Sequence, residues 1–163
     1  MLPKPLVGVI GVLEASESER QMAFEIGKLV GAMGLALVCG GLGGVMEEAS
    51  RGCQQAGGVV IGLLPGGRKE DANDFVTYAI PTNLGHSRNT LIAHSADILI
   101  AIGTGYGTLS EIAIALKLGK KVLGYKSWDV QGVSPCGSLT EIQAVLAEFF
   151  GHINTKSLLF HND

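Results

Sequence analysis

The chain has 163 residues, 47% hydrophobic and 17% charged, with a formal net charge of −3, which excludes intrinsic disorder and leaves no basic footprint for nucleic acid. Glycine stands at 24 residues while aromatics make up only 6%, a balance that suits a single α/β domain with backbone-lined turns. Cys39, Cys53 and Cys136 are an odd set without metal-ligand spacing, and read as reduced thiols of a cytoplasmic protein.

The N-terminus, Met-Leu-Pro-Lys-Pro, runs straight into an apolar strand pattern at Pro5 to Ile10. No signal peptide is expected there, and no apolar run reaches the roughly eighteen residues of a membrane span. Glu14 and Ser16 offer helix caps, followed by Met22, Ile26, Leu29, Val30 and Met33 at helical spacing and Gly34 as a stop. Leu35 to Cys39 is a second strand, and Gly40-Gly-Leu-Gly-Gly44 a glycine turn. Met46, Ala49, Cys53 and Ala56 mark the next helix, which ends at Gly57-Gly58. Val59 to Leu64 is a third strand, Arg68 to Asp74 an exposed polar loop, and Phe75 to Ile80 a short strand.

A helix is expected from Ser87 to about Ser95, with Leu91 and Ile92 facing inward. Ile98 to Ile102 is an unbroken apolar run, the mark of a strand buried on both faces. It breaks into three alternate glycines, Gly103, Gly105 and Gly107, and Thr108 then opens a helical pattern through Leu109, Ile112, Ala113 and Leu116. Val122 to Tyr125 is a further strand, Trp128 to Ser138 a loop, and Leu139, Ile142, Val145, Leu146 and Phe149 a last amphipathic helix. Residues 151–163 read as a loosely attached tail. Strands alternating with helices throughout predict one doubly wound parallel sheet, Rossmann-like with three layers, across residues 1–163.

Ligands bind such sheets outside the carboxyl ends of the strands, where both glycine turns fall. Small residues followed by a helix N-terminus make a seat for an anion, because backbone N–H groups can approach a ligand. Gly103, Thr104, Gly105, Tyr106, Gly107 and Thr108 are therefore candidates to hold the phosphate of a nucleotide-like ligand. The turn Gly40, Gly41, Gly43 and Gly44, with Met46, is assigned to the wall around the rest of the ligand. Glu47 and Glu48 in the first turn of its helix would repel an anion there. Arg88 near a helix start opposes the dipole, a placement that favours an anion opposite it, and Asn89 has either ligand or backbone to bond. Two readings fit Glu111: it completes a capping box with Thr108, or it does chemistry beside the phosphate. No P-loop and no Gly-x-Gly-x-x-Gly fingerprint is present.

Gly105-Tyr-Gly-Thr-Leu-Ser-Glu111 resembles the second half of the Pro-Gly-Gly-x-Gly-Thr-x-x-Glu signature of the Lonely-Guy (LOG) family, and Gly40-Gly-Leu-Gly-Gly-Val-Met46 resembles its Gly-Gly-x-x-Gly-x-Met signature. Arg88 resembles the family's arginine. The resemblance implies phosphoribohydrolases that release free base from nucleoside 5′-monophosphates, with Arg88 and Glu111 catalytic. Gly103-Thr104 stands where that family has Pro-Gly, and Asn89 where it usually has Lys. Those departures look more like the related branch that includes the molybdenum-cofactor carrier protein. That branch implies a homo-oligomer, dimer or tetramer, holding a phosphorylated pterin without turnover. Two functions lead, a binding protein for such a ligand (molybdopterin, molybdenum cofactor or nucleoside monophosphate) or a hydrolase, with a non-catalytic nucleotide sensor as a third. No cofactor is required by either, and neither calls for a catalytic metal.

Overall fold

The computed structural model describes residues 3–159, with side chains described through 151. One seven-stranded sheet, every neighbouring pair parallel, is formed by β1 (Leu6–Gly11), β2 (Ala36–Cys39), β3 (Val59–Leu64), β4 (Tyr78–Pro81), β5 (Ile98–Ile102), β6 (Lys121–Tyr125) and β7 (Val133–Pro135). Their order across the sheet is β4-β3-β2-β1-β5-β6-β7. The helices are α1 (Glu17–Ala32), α2 (Val45–Gln55), α3 (Arg88–Ser95), α4 (Tyr106–Lys117) and α5 (Leu139–Leu159).

Strand residues alternate between faces, so an apolar run feeds two cores at once. Val7 and Val9, with Ile98, Ile100 and Ile102, pack beneath α1, α2 and α5. Ile10, Leu99 and Ala101 face the other way, beneath α3 and α4. Both layers are close-packed around β1 and β5, and the winding direction of the sheet reverses between those two strands. No helix among the described residues is long and apolar enough to cross a membrane.

The helix α1 starts on a capping box: Ser16 and Glu19 satisfy each other's backbone N–H groups. It lies directly on the backbone of α2. A Cβ on Gly27 would overlap the Ala49 carbonyl oxygen, and one on Gly52 would overlap the carbonyl oxygen of Phe24. These close approaches seat α2 tightly beside β1, which fixes where the glycine turn before α2 arrives.

Several elements differ from the reading of the sequence. The short strand begins at Tyr78, not Phe75, because Asn73 closes a turn by accepting the Phe75 N–H through its side chain. The polar loop contains a 3-10 turn at Lys69–Asp71. Val133–Pro135, read as loop, is an edge strand that pairs with β6, a position where a proline without an N–H is tolerated. Ile92 is buried on α3, but Leu91 is 37% exposed, since only Arg88, Ile92 and Ala93 face inward on that short helix. The last helix continues through Leu159, past the point where the tail was expected, and 160–163 lie outside the described residues. The helix after β5 starts at Tyr106, two residues before Thr108.

The α1–α2 contact has little slack. Replacing Gly52 with Ala should cost about 1–3 kcal/mol of stability through overpacking, read as a melting temperature several degrees lower. An unchanged melting temperature would mean that the two helices can separate freely.

Candidate functional site

A cleft of about 530 Å³ opens at the carboxyl edge of the sheet, lined by the ends of β1 and β2 and the first turn of α4. It sits at the point where the strand order reverses, the expected place for a ligand in an open α/β sheet. Its floor is largely apolar, with Ile10, Val12 and Met46 among the lining residues.

The α4 end of the cleft is built by glycine. Gly103 adopts φ +80, where a side chain would be strained and would also crowd Glu19 and Val12. Gly105 is the N-cap and has no side chain to bond the first turn. Among the described residues the N–H groups of Tyr106, Gly107 and Thr108 have no hydrogen-bond partner, as expected for the first turn of a helix without a side-chain cap. By contrast, the cap of α1 is filled by its own side chains, and the first N–H of α2 goes to the Val12 carbonyl at 3.0 Å. The Gly105 carbonyl is held by two donors, the Leu109 N–H at 3.0 Å and the Trp128 indole N–H at 2.9 Å.

Arg88 is the first residue of α3, only 7% exposed, and its guanidinium lines the cleft. It passes so close to Gly40 that a Cβ there would overlap Nη1. Its Nε is buried with no hydrogen-bond partner. Glu111, 6% exposed, lines the same cleft. The ion pairs closer than 4.0 Å among the described residues lie elsewhere, so Arg88 and Glu111 feel each other's charge without touching. Burial pushes the Glu111 carboxyl up to about 8, partly opposed by Arg88. Burial also lowers Arg88, while Glu111 and Cys39 act to raise it. Cys39 lies behind the site with a thiol raised by burial, beside Ser50 and the Gly41 N–H.

Glu111 does not form the capping box that its spacing allows. Thr108 is the third residue inside α4, 3% exposed, and the cap is Gly105. A carboxylate six residues into the helix is out of reach of the orphan N–H groups that a capping box satisfies.

The cleft brings together Gly40, Met46, Arg88, Asn89, Gly105, Gly107, Thr108 and Glu111 from the residues the sequence singles out. Gly41, Gly43, Gly44, Gly103, Thr104 and Tyr106 are not in its lining; Gly41, Gly44 and Gly103 shape the turns through positive φ. Asn89 bonds across to α4, donating to the Ser110 hydroxyl at 3.1 Å, which in turn donates to the Gly107 carbonyl. Gly11, Val12, Leu13, Leu42, Pro65, Gly85 and His86 also line the cleft, and none of them is among the candidates the sequence marks. Val12 and Leu13 follow β1 at its carboxyl end, and that position beside the reversal point is the one signal that could have found them. Among the described residues, no group of three or more His, Cys, Asp or Glu side chains gathers as a metal cage.

The model of the SLOG cluster4 family matches residues 4–154. An uncharacterised protein of Archaeoglobus fulgidus is 50% identical over 121 residues, 74% of this chain and 79% of that one. A probable cytokinin riboside 5′-monophosphate phosphoribohydrolase of Oryza sativa is 35% identical over 98 residues, 58% of this chain but 43% of the rice protein. Among solved structures, the molybdenum cofactor binding protein of Rippkaea orientalis superposes with a TM-score of 0.87 at 34% identity, covering 92% of this chain and 99% of that one.

The raised carboxyl makes the fold sensitive to pH in a definite direction. Between about pH 4.5 and about 8 the folded protein keeps the Glu111 proton that the unfolded chain has released. The contribution of this group to stability is therefore greatest below that window, falls as pH rises through it, and levels off above it, by on the order of 5 kcal/mol in full. Glu111→Gln should flatten this slope in denaturation curves measured from pH 5 to 9. An identical slope in the variant would place the titrating group elsewhere.

Proposed function

The chain belongs to the SLOG cluster4 family, and on that premise we propose that it binds and holds a phosphorylated nucleotide-like or pterin ligand, without turnover. The observation that carries this reading is Arg88, a buried guanidinium whose Nε has no partner and whose head lines a cleft. A buried charge without a hydrogen-bonded counter-ion is costly, and an anionic ligand supplies the missing partner. Gly107 and Thr108, whose N–H groups are free, line the same cleft, with the Tyr106 N–H next to them in the first turn of α4, and together they would suit a phosphate.

The rest of the ligand would lie toward Leu42, Met46 and Pro65. Molybdenum cofactor fits this reading as cargo: its phosphate suits the Arg88 end, and its flat organic body suits the apolar walls. The likeness to the Rippkaea orientalis protein spans nearly the whole of both chains, whereas the likeness to the rice hydrolase spans less than half of that enzyme. A cytoplasmic dimer or tetramer belongs to the same reading, and Leu91 and Leu118, exposed on the α3–α4 layer, are apolar positions that association would cover.

One observation favours the hydrolase as a second reading. Glu111 is not spent on capping, and a carboxyl held near neutrality in a cleft suits proton transfer to a leaving base or activation of water.

Mass spectrometry of the ligand that co-purifies, with calorimetric titration of 5′-AMP and molybdopterin, tests the first reading. Arg88→Ala should weaken binding of either phosphorylated probe about 10- to 100-fold, as expected for loss of charge-assisted bonds. Undiminished affinity would remove Arg88 from the site. Free adenine released from 5′-AMP by the wild type and not by Glu111→Gln would replace the carrier reading with the hydrolase.

A further inference from the structure

We infer that Trp128, outside the cleft, is the positioning residue of the anion seat: its indole fixes and polarises the peptide that presents the first seat N–H. This rests on the phosphate-binding reading above. Gly105 has no side chain with which to hold its own turn, and its φ and ψ of −71 and 150 place it in extended backbone. Its carbonyl oxygen and the Tyr106 N–H belong to one planar, trans peptide unit and point in opposite directions. Whatever anchors that oxygen therefore aims that N–H.

Two groups anchor it. One is the Leu109 N–H, the ordinary first bond of the helix. The other is the Trp128 Nε1–H, which arrives at 2.9 Å from the loop after β6, 23 residues further along the chain. The indole ring also meets the Tyr106 ring, with centroids 5.7 Å apart. That pair clamps the peptide from its oxygen and from the residue that carries its N–H. A donor on a carbonyl oxygen also withdraws electron density from the amide, so the N–H on the far side becomes a stronger donor to an anion.

The loop is itself held in place for this task. Lys126 occupies the left-handed region at φ 47, uncommon for a residue with a side chain, and its ammonium donates to the Ser18 hydroxyl at 2.8 Å. The loop is thus tied to the start of α1 through Lys126 and to the start of α4 through Trp128. Trp128 is the single tryptophan of the chain, so its indole gives one resonance and one emission signal.

The test compares the wild type with Trp128→Phe, which keeps a ring and removes the donor. Calorimetric titration uses 5′-AMP, which reaches the seat, and adenosine, which lacks the phosphate. The expected result is a loss of about 5- to 10-fold in affinity for 5′-AMP, the scale of one hydrogen bond, with adenosine binding unchanged. Equal loss for both probes, or no loss for 5′-AMP, overturns the assignment. Should the variant not fold, the wild type decides alone: the indole Nε1–H resonance should shift on saturation with inorganic phosphate, and an unmoved resonance overturns it. Wild type that binds neither 5′-AMP nor phosphate defeats the phosphate-binding reading and this inference together. Equal 5′-AMP affinity in wild type and variant defeats the role of Trp128 alone.

Discussion

Burying a guanidinium without a paired counter-ion is unfavourable by several kcal/mol, and the site is arranged around that one constraint. Gly40 has no Cβ because the Arg88 head occupies the place where one would stand. Glu111 lies within electrostatic reach but outside ion-pair distance, so it relieves Arg88 only in part. Burial meanwhile keeps its carboxyl largely protonated at neutral pH. The charge balance of the cleft is therefore left one anion short. Gly107 and Thr108 at the start of α4 line the same cleft.

The fold supplies this arrangement through parallel register. Gly11 lies level with Ile102 across the β1–β5 pair, and Cys39 with Gly62 across β2–β3. The turns that follow these strands therefore emerge along one edge. The α1–α2 contact, which depends on Gly27 and Gly52, sets the depth of the turn before α2. The β6–β7 segment holds the turn before α4 through Trp128. A site made mostly of backbone needs this external bracing, because glycines contribute no side chains to brace themselves.

Binding and hydrolysis would use the same groups. An anion seat, a buried arginine and a near-neutral carboxyl serve equally to retain a phosphorylated ligand and to cleave one. The difference lies in whether a reacting atom comes within reach of Glu111. At about 530 Å³ the cleft has the volume for a small-molecule ligand in either case. The proportions of the two likenesses, one over the whole chain and the other over part of a longer enzyme, are what favour retention.

The sequence alone carries most of the strands and helices and the glycine turn after β5, because those depend on local periodicity and on glycine. Val59 to Leu64 is found at the residues expected, since an apolar run bounded by glycines has few other uses. It also marked Arg88 and Glu111, whose residue types sit oddly where they fall. Local signals failed where the cause was distant. The cap at Gly105 carries no side-chain signature, so Thr108 looked like the start of α4 and Glu111 like its partner; the true start is set partly by an indole 23 residues away. The edge strand Val133–Pro135 exists only through its pairing with β6. The contributions of Val12, Leu13, Pro65 and His86 to the cleft arise from strand order and register. The burial of Arg88 and the neutrality of Glu111 were likewise decided only by tertiary structure, because both depend on how much water the packed elements exclude.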